Sequence, residues 1–135
     1  MRIMLVEDDV GIRDVVTEYL TRKGHVVDSV GTGREAIEAI HQLRRSYDVA
    51  LVDWQLPGIS GRDVIQTITS RSPETSILIT TGLPQNSRLV QRTVTQSQIG
   101  ILRKPFSLRT LHRRLMDIAT IKPEPSTPTD LLDKF

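Results

Sequence analysis

The sequence predicts an α/β protein in which five short strands alternate with five helices and form one parallel sheet. Short apolar or β-branched runs recur along the chain, and segments of helical periodicity lie between them. The 135 residues are enough for one domain with a single core. Because a helix follows each strand, the connections cross over, and helices are expected on both faces of a doubly wound sheet.

The predicted strands are rich in β-branched and apolar residues. They are IMLV at 3–6, VVDSV at 26–30, VALVD at 49–53, SILITT at 76–81 and IGILR at 99–103. The first, third and fourth are apolar almost throughout, which predicts that helices cover both of their faces.

The predicted helices are marked by apolar residues spaced three or four positions apart. The apolar positions are Ile12, Val15, Val16, Tyr19 and Leu20; Ala36, Ile37, Ile40 and Leu43; Val64, Ile65 and Ile68; Leu89, Val90 and Val94; and Leu108, Leu111, Leu115 and Ile118. Gly24 is expected to end the first helix, and the third is expected to begin after Gly61 and to end before Pro73.

The composition excludes cysteine chemistry. The chain has no cysteine, so it can form neither a disulfide nor a thiolate metal site. No signal-peptide pattern precedes MRIMLV, and no apolar run reaches the roughly 18 residues of a membrane helix. We therefore expect a soluble, cytoplasmic protein without a membrane partner.

Charge is distributed unevenly along the chain. Ten of the sixteen acidic residues lie at or before Asp53, whereas the stretch from Arg88 to Lys122 holds eight Lys or Arg residues and one acid, Asp117. A solvated helical face would explain this basic region, and so would a docking surface for an acidic partner or nucleic acid. Interleaved aromatic residues, which would favour nucleic acid, are missing from it.

Polar and charged residues follow four of the five predicted strands. Because the carboxyl ends of parallel strands meet at one edge of a sheet, and sites in open sheets form there, these residues are expected to lie together. They are Glu7, Asp8 and Asp9 after the first strand, Asp53 at the end of the third, Thr80 and Thr81 at the end of the fourth, and Lys104 after the fifth.

The carboxylates at this edge predict a cation site. Glu7, Asp8 and Asp53 would converge, and like charges at a partly buried rim repel one another unless a cation lies between them. Hard oxygen ligands at an open edge suit Mg²⁺, for which Mn²⁺ can substitute. Asp9 has an alternative role as the N-cap of the helix that begins near Val10.

Asp53 is the candidate for chemistry at this edge. A carboxylate beside a divalent ion can act as a nucleophile toward a phosphoryl group. Lys104 would add a positive charge and Thr81 a hydroxyl donor. The alternative is that Asp53 only forms the turn before the Pro- and Gly-containing loop LPGISG.

Four motifs together resemble the receiver domain of two-component response regulators. They are IMLVEDDVGIRDVV, VALVDWQLPGISG, ILITTG and ILRKPFSL, and they occur in the order and spacing of that family over residues 1–120. The resemblance implies a flavodoxin-like fold with the strand order 2-1-3-4-5.

The resemblance also implies how a Mg²⁺ ion would be held. Asp8 would be a direct ligand and Glu7 an outer, water-mediated one. The carboxylate of Asp53 and the main-chain carbonyl of Gln55 would complete the protein ligands.

By the same resemblance Asp53 is the phosphoacceptor, and Thr81 and Lys104 bind the phosphoryl oxygens. The phosphoryl group would come from a histidine of a sensor histidine kinase or phosphotransfer protein, or from a small phosphodonor. The chain would thus be a signalling receiver that assists its own phosphorylation and dephosphorylation, and not an enzyme with a separate substrate. The alternative is a flavodoxin-like interaction module that works without phosphorylation.

The output surface implied by the family is the fourth helix, fifth strand and fifth helix, where the basic residues lie. Ile101 stands where the family commonly has Tyr or Phe, and an isoleucine cannot move a ring between buried and exposed positions, as the switch common in the family requires. Arg109 stands where an acid is frequent in the winged-helix transcription factors, which argues against their symmetric, charge-paired dimer.

The last fifteen residues change in character. Residues 121–135 contain Pro123, Pro125 and Pro128 and predict an extended linker or tail. They contain no helix-turn-helix and no catalytic output domain, so no nucleic-acid-binding domain is expected in this chain.

Overall fold

The computed structural model describes residues 1–42, 46–84, 87–88, 92 and 98–119. They form a five-stranded parallel sheet with the order β2-β1-β3-β4-β5, which confirms the predicted α/β fold and strand order. The strands are β1 (Arg2–Val6), β2 (Val26–Val30), β3 (Val49–Asp53), β4 (Ser76–Thr81) and β5 (Ile99–Arg103). Four have the predicted bounds, and β1 begins one residue earlier than expected.

Four helices lie in the described part of the chain. They are α1 (Val10–Arg22), α2 (Gly33–His41), α3 (Gly61–Arg71) and the C-terminal helix α4 (Leu108–Ala119). The helix predicted around Leu89, Val90 and Val94, the apolar position Leu43 and the predicted tail 121–135 fall outside the described residues. None of the described helices is both long and apolar enough to cross a membrane.

Apolar side chains cover both faces of the sheet, as the nearly continuous apolar runs predict. Alternate residues of each central strand point to opposite faces. On one face, α2 and α3 cover a layer formed by Met4, Val6, Ala50, Val52, Ile77 and Ile79 with Ala36, Ile40, Val64 and Ile68. On the other face, α1 and α4 cover a layer formed by Ile3, Leu5, Val49, Leu51 and Leu78 with Val16, Leu20, Leu111, Leu115 and Ile118.

Side-chain caps fix the beginnings of the helices at the carboxyl edge. The hydroxyls of Thr32, Ser60 and Ser107 each accept a hydrogen bond from the main-chain N–H three residues later, at 3.1, 3.3 and 3.0 Å. Gly24 follows α1 with a φ of 94°, a left-handed conformation that confirms it as the stop of this helix.

The apolar stripe predicted for α1 is only half buried. Val16 and Leu20 face the sheet, but Ile12 is 40% exposed and Val15 is 53% exposed. Ile12 lies one turn before Val16, in the first turn of α1. The predicted stripe therefore supplies Val16 and Leu20 to the core, while Ile12 and Val15 remain exposed.

Candidate functional site

Three carboxylates converge at the carboxyl edge of the sheet. Glu7 follows β1 and is 4% exposed, Asp53 ends β3 and is 3% exposed, and Asp8 lies on the surface beside them. One oxygen from each of the three lies within 4.8 Å of the others. The neighbouring central strands β1 and β3 bring these side chains together, as the sequence predicts. Oxygen atoms at this spacing form the type of donor set that suits Mg²⁺.

Both oxygens of Asp53 accept hydrogen bonds. The main-chain N–H of Gln55 donates to Oδ1 at 3.0 Å, and Nζ of Lys104 donates to Oδ2 at 3.1 Å. Lys104 Nζ also lies 3.8 Å from Glu7 Oε1. The lysine is carried there by β5, because its own N–H continues the ladder by donating to the carbonyl of Thr81 at 2.8 Å. The cluster thus combines three carboxylates with the ammonium group of Lys104, which cannot balance the negative charge of all three when they are ionised.

The loop after β3 holds Asp53 from the main-chain side. The N–H of Trp54 donates to the carbonyl of Thr80 at 2.9 Å. Gly61, the first residue of α3, lies so close that a Cβ there would be 2.6 Å from the Asp53 carbonyl oxygen and 2.8 Å from Cα of Trp54. Only glycine allows this approach, so α3 fixes the end of the strand that carries Asp53.

Burial raises the pKa of the Glu7 carboxyl. The neighbouring charges of Asp53 and Asp8 raise this pKa further, whereas the Asp9 N–H, which donates to Glu7 Oε2 at 3.1 Å, and Lys104 lower it. Ionised Glu7 is therefore costly in the absence of a cation, and a bound cation would favour its ionised form.

Thr81 lies at the end of β4 and is fully buried, and its carbonyl accepts the hydrogen bond from the Lys104 N–H. Its hydroxyl accepts a hydrogen bond from the N–H of Leu83 at 3.1 Å. Within the described residues, no hydrogen bond joins Thr81 to Asp53. Gln55 is exposed on the loop after β3, two residues beyond Asp53.

Asp9 caps α1, as its alternative role predicts. Its Oδ1 accepts a hydrogen bond from the N–H of Ile12 at 3.0 Å. Asp9 also contributes through its main chain, because its N–H donates to Glu7. The acidic run after β1 is thus divided between the carboxylate cluster and the helix cap.

The basic region predicted as a docking surface is less uniform than its sequence indicates. Lys104 faces the carboxylates instead of a partner surface. Nε of Arg103 donates to the carbonyl of Leu83 at 3.1 Å, and Nη2 of Arg114 donates to the carbonyl of Ile101 at 2.8 Å. Ile101 itself is half buried and packs on the core beneath α2 and α3. Lys122 lies outside the described residues.

An open apolar cavity of about 670 Å³ borders the carboxylate cluster. The exposed side chains of Ile12 and Val15 line one side, Phe106 and Leu108 line the other, and Lys104 lies at the end next to Asp53. The groove was not predicted from the sequence, because helical periodicity does not show which apolar residues of a stripe stay exposed. The presence of Phe106 two residues after Lys104 is the only sequence signal for it.

Comparisons with known proteins agree with this fold. The family model described as response regulator receiver domain matches residues 3–116. The chain is 30% identical to the response regulator RppA of Synechocystis over 92% of this chain and 53% of RppA. It is 32% identical to the transcriptional regulatory protein TcrA of Mycobacterium tuberculosis over 96% of this chain and 50% of TcrA. The chain thus spans about half the length of both relatives.

A solved structure extends the comparison to the site. The response regulator TrrA of Thermotoga maritima, solved in complex with Mg²⁺ and BeF, has a TM-score of 0.72 and 25% identity over 87% of this chain and 97% of that one. The family model covers residues 3–116, which is most of the chain, and the strand order is the one that the resemblance implies. The chain belongs to the response regulator receiver domain family.

Proposed function

We propose that Asp53 accepts a phosphoryl group from a histidine of a partner protein, with Mg²⁺ bound by the neighbouring carboxylates. The observation that carries this proposal is the environment of Asp53. Its carboxylate is buried, bonded to Lys104 at 3.1 Å, and within 4.8 Å of oxygens of Glu7 and Asp8. A buried acid grouped with two others and one lysine has no evident role in stabilising the fold, but it suits acceptance of an anionic group.

Asp8 and Asp53 are the proposed direct ligands of the ion, with the Gln55 carbonyl as a further ligand and Glu7 as an outer one. When bound, Mg²⁺ would neutralise the carboxylates and the incoming phosphoryl oxygens. TrrA, solved with Mg²⁺ and BeF, supports this assignment by family relationship. The carboxylate oxygens of Glu7, Asp8 and Asp53 lie within 4.8 Å of one another, which also supports the assignment. The exposure of Asp8 supports it too, because a bound Mg²⁺ keeps several waters and needs a side open to solvent.

In the proposed transfer, one carboxylate oxygen of Asp53 forms a bond to phosphorus while the bond from phosphorus to the donor imidazole nitrogen breaks. The imidazole leaves with its electron pair and takes up a proton from solvent. Lys104 is already within hydrogen-bond distance of Asp53, so its ammonium can follow the new phosphoryl oxygens without crossing the site. Positioning and charge neutralisation therefore supply most of the rate acceleration.

The apolar groove beside Asp53 favours a protein as the phosphodonor. Ile12, Val15 and Phe106 expose apolar surface at the entrance to the site, and Lys104 links this surface to Asp53. A small phosphodonor would not contact the groove, whereas an apolar helix face of a donor protein would bury it. We assign the groove to the donor and the surface formed by β5 and α4 to the output partner.

After transfer, Thr81 and Lys104 are proposed to bind the phosphoryl oxygens. Thr81 would exchange its bond from Leu83 for one to the new anion, which would move the chain after β4. Ile101 cannot supply the ring movement common in the family, so the switch in this chain is proposed to depend on Thr81. Residues 1–120 are proposed as the switching unit and residues 121–135 as a linker.

A phosphate-affinity gel tests the proposal after incubation with acetyl phosphate and Mg²⁺. The expected result is a retarded band that requires Mg²⁺ and is lost in Asp53→Asn but kept in Asp14→Asn, which removes an exposed carboxylate of α1. Absence of retardation with every donor and ion tested would refute phosphorylation and would leave the phosphorylation-independent interaction module. Mn²⁺ is expected to replace Mg²⁺ in the same assay.

A further inference from the structure

Arg13 reaches from α1 across the carboxyl ends of two strands. Its Nη1 donates to the main-chain carbonyl of Glu7 with a nitrogen-to-oxygen distance of 2.9 Å. The same guanidinium passes next to Gly31, the residue after β2. A Cβ at position 31 would lie 2.5 Å from Nη1 and 3.4 Å from Cζ of Arg13. The guanidinium therefore fills the space between the loop after β1 and the loop after β2.

The carbonyl that Arg13 binds belongs to the peptide unit between Glu7 and Asp8. Because a peptide unit is planar, fixing its carbonyl also fixes the direction in which the chain enters Asp8. In the described part of the chain, the Asp8 carboxylate is exposed and has no hydrogen bond or ion pair of its own. Its approach to Asp53 therefore depends on how firmly this main-chain segment is held.

Two other contacts restrain the same segment. The N–H of Glu7 donates to the carbonyl of Val30 at 3.1 Å, and the N–H of Asp9 donates to the Glu7 carboxylate at 3.1 Å. The second contact involves the side chain of Glu7 and not its main-chain carbonyl. Arg13 is thus the only side chain among the described residues that holds the Glu7 main-chain carbonyl.

We propose that Arg13 is a positioning residue for the cation site and that residue 31 is glycine because the guanidinium passes there. This proposal rests on the proposed function, because it takes Mg²⁺ to bind at the carboxylate cluster. Within the described residues, no ion pair joins Arg13 to a carboxylate. Arg13 acts on the cluster through the main chain of Glu7.

The conformation of Gly31 does not by itself require glycine. Only Gly24 and Gly58 have positive φ values among the described glycines, so alanine is compatible with the backbone at position 31. The obstacle to a Cβ there is the end of a flexible side chain, which can move aside. Gly31→Ala is therefore expected to displace the guanidinium of Arg13 with little loss of folding stability.

Charge and position lead to opposite expectations for Arg13→Ala. If Arg13 acted only as a positive charge near the ion, its removal would strengthen Mg²⁺ binding. If it positions Asp8, its removal would weaken binding, in the range of about 10-fold that is typical of residues supporting metal ligands. Gly31→Ala changes no charge, so only the positioning role predicts an effect for it.

The experiment measures the Mg²⁺ dissociation constant by calorimetry or by the fluorescence of Trp54, the single tryptophan, which follows Asp53 in the sequence. Arg13→Ala and Gly31→Ala are each expected to weaken binding about 10-fold. The double variant should bind like Arg13→Ala, because Gly31→Ala has no effect once the guanidinium is gone. Arg13→Lys should restore part of the affinity, since an ammonium can donate one hydrogen bond to the carbonyl.

Arg22→Ala is the matched control, because Arg22 lies on the same helix and pairs with Glu18 at the surface. Its Mg²⁺ affinity should equal that of the wild type. In metal-free protein, amide exchange at Glu7 and Asp9, whose N–H groups are hydrogen-bonded, should be faster in Arg13→Ala and Gly31→Ala, with no change at Leu51 in the core. This second measurement tests, without any metal, whether the hydrogen bond from Arg13 restrains the main chain after β1. If Arg13→Ala fails to fold, Gly31→Ala carries both tests.

Equal or tighter Mg²⁺ binding by Arg13→Ala and Gly31→Ala, with wild-type amide exchange, would overturn the positioning role alone. Additive losses in the double variant would also overturn it, because they would show that Gly31 acts independently of Arg13. Failure of the wild type to bind Mg²⁺, or binding that survives Asp8→Asn combined with Asp53→Asn, would instead overturn the proposed function, and with it the positioning role.

Discussion

The ammonium of Lys104 lies 3.1 Å from Asp53 Oδ2, and the lysine side chain is 29% exposed whereas that of the aspartate is 4% exposed. The pair joins β3 to the end of β5 across the carboxyl edge of the sheet. Lys104 is the cation nearest to the three carboxylates, so it partly compensates their charge in the metal-free protein.

Lys104→Ala is expected to destabilise the metal-free protein by about 1–2 kcal/mol, because Asp53 would stay buried without its cation. Urea unfolding at neutral pH with a chelator measures this loss, and saturating Mg²⁺ should recover part of it. Arg62→Ala, which removes an exposed cation of α3, is the control and should change the free energy of unfolding by less than about 0.5 kcal/mol.

Lys104→Ala is also expected to separate phosphorylation from output. Acetyl phosphate and Mg²⁺ should still phosphorylate the variant, because the proposed ion ligands remain. Partner binding should no longer respond, because Lys104 would not follow the phosphoryl oxygens. A variant whose partner binding responds to phosphorylation as fully as the wild type would contradict this role.

Glu7→Gln is expected to stabilise the metal-free protein at neutral pH and to weaken Mg²⁺ binding. Burial raises the pKa of Glu7, so the stability that its protonated form contributes is present below the ordinary pKa of 4.5 and is lost as pH rises through the raised pKa. The glutamine variant avoids this loss, so its advantage in urea unfolding should shrink as pH falls toward 4.5. An advantage that does not change with pH would contradict this explanation.

Ile12→Ser is expected to slow phosphorylation by a protein donor and to leave phosphorylation by acetyl phosphate unchanged. Ile12 is exposed and lines the apolar groove, so its loss removes donor contact area without emptying the core. The test uses a sensor kinase that phosphorylates the wild type in a panel of purified kinases. Val26→Ser is the matched control, since Val26 is also an exposed β-branched apolar residue but lies at the start of β2. Equal slowing with both donors would contradict the prediction, because it would show that Ile12 affects the reaction at Asp53 and not the contact with the donor protein.

Gly61→Ala is expected to destabilise the protein by about 2–3 kcal/mol, because its Cβ would collide with main-chain atoms that cannot move independently. Gly82→Ala provides the contrast, since nothing lies within 4 Å of a Cβ there and alanine restricts the unfolded chain. Urea unfolding should therefore give a loss for Gly61→Ala and no loss for Gly82→Ala. Similar free energies of unfolding for the two variants would argue against a tight contact between α3 and the end of β3.

The strands were predictable because each is a short run rich in apolar or β-branched residues, and the edge residues were predictable because parallel strands end together. The strand order came from the family resemblance, since alternation of strands and helices does not specify neighbours. The groove was missed because a helical stripe does not show which of its apolar residues stay exposed, as Ile12 demonstrates. Contacts between distant side chains were also hidden. Nε2 atoms of His25 and His112 lie 3.0 Å apart, although 87 positions separate these residues in the sequence.

The central claim is that Asp53 carries the phosphoryl group. Borohydride reduction of the phosphorylated protein converts an aspartyl phosphate to homoserine, and peptide mass spectrometry then locates the changed residue. The account predicts homoserine at position 53 only, dependent on Mg²⁺ and absent from Asp53→Asn. Modification at Asp8 or at another acid, with Asp53 unchanged in the wild type, would contradict it.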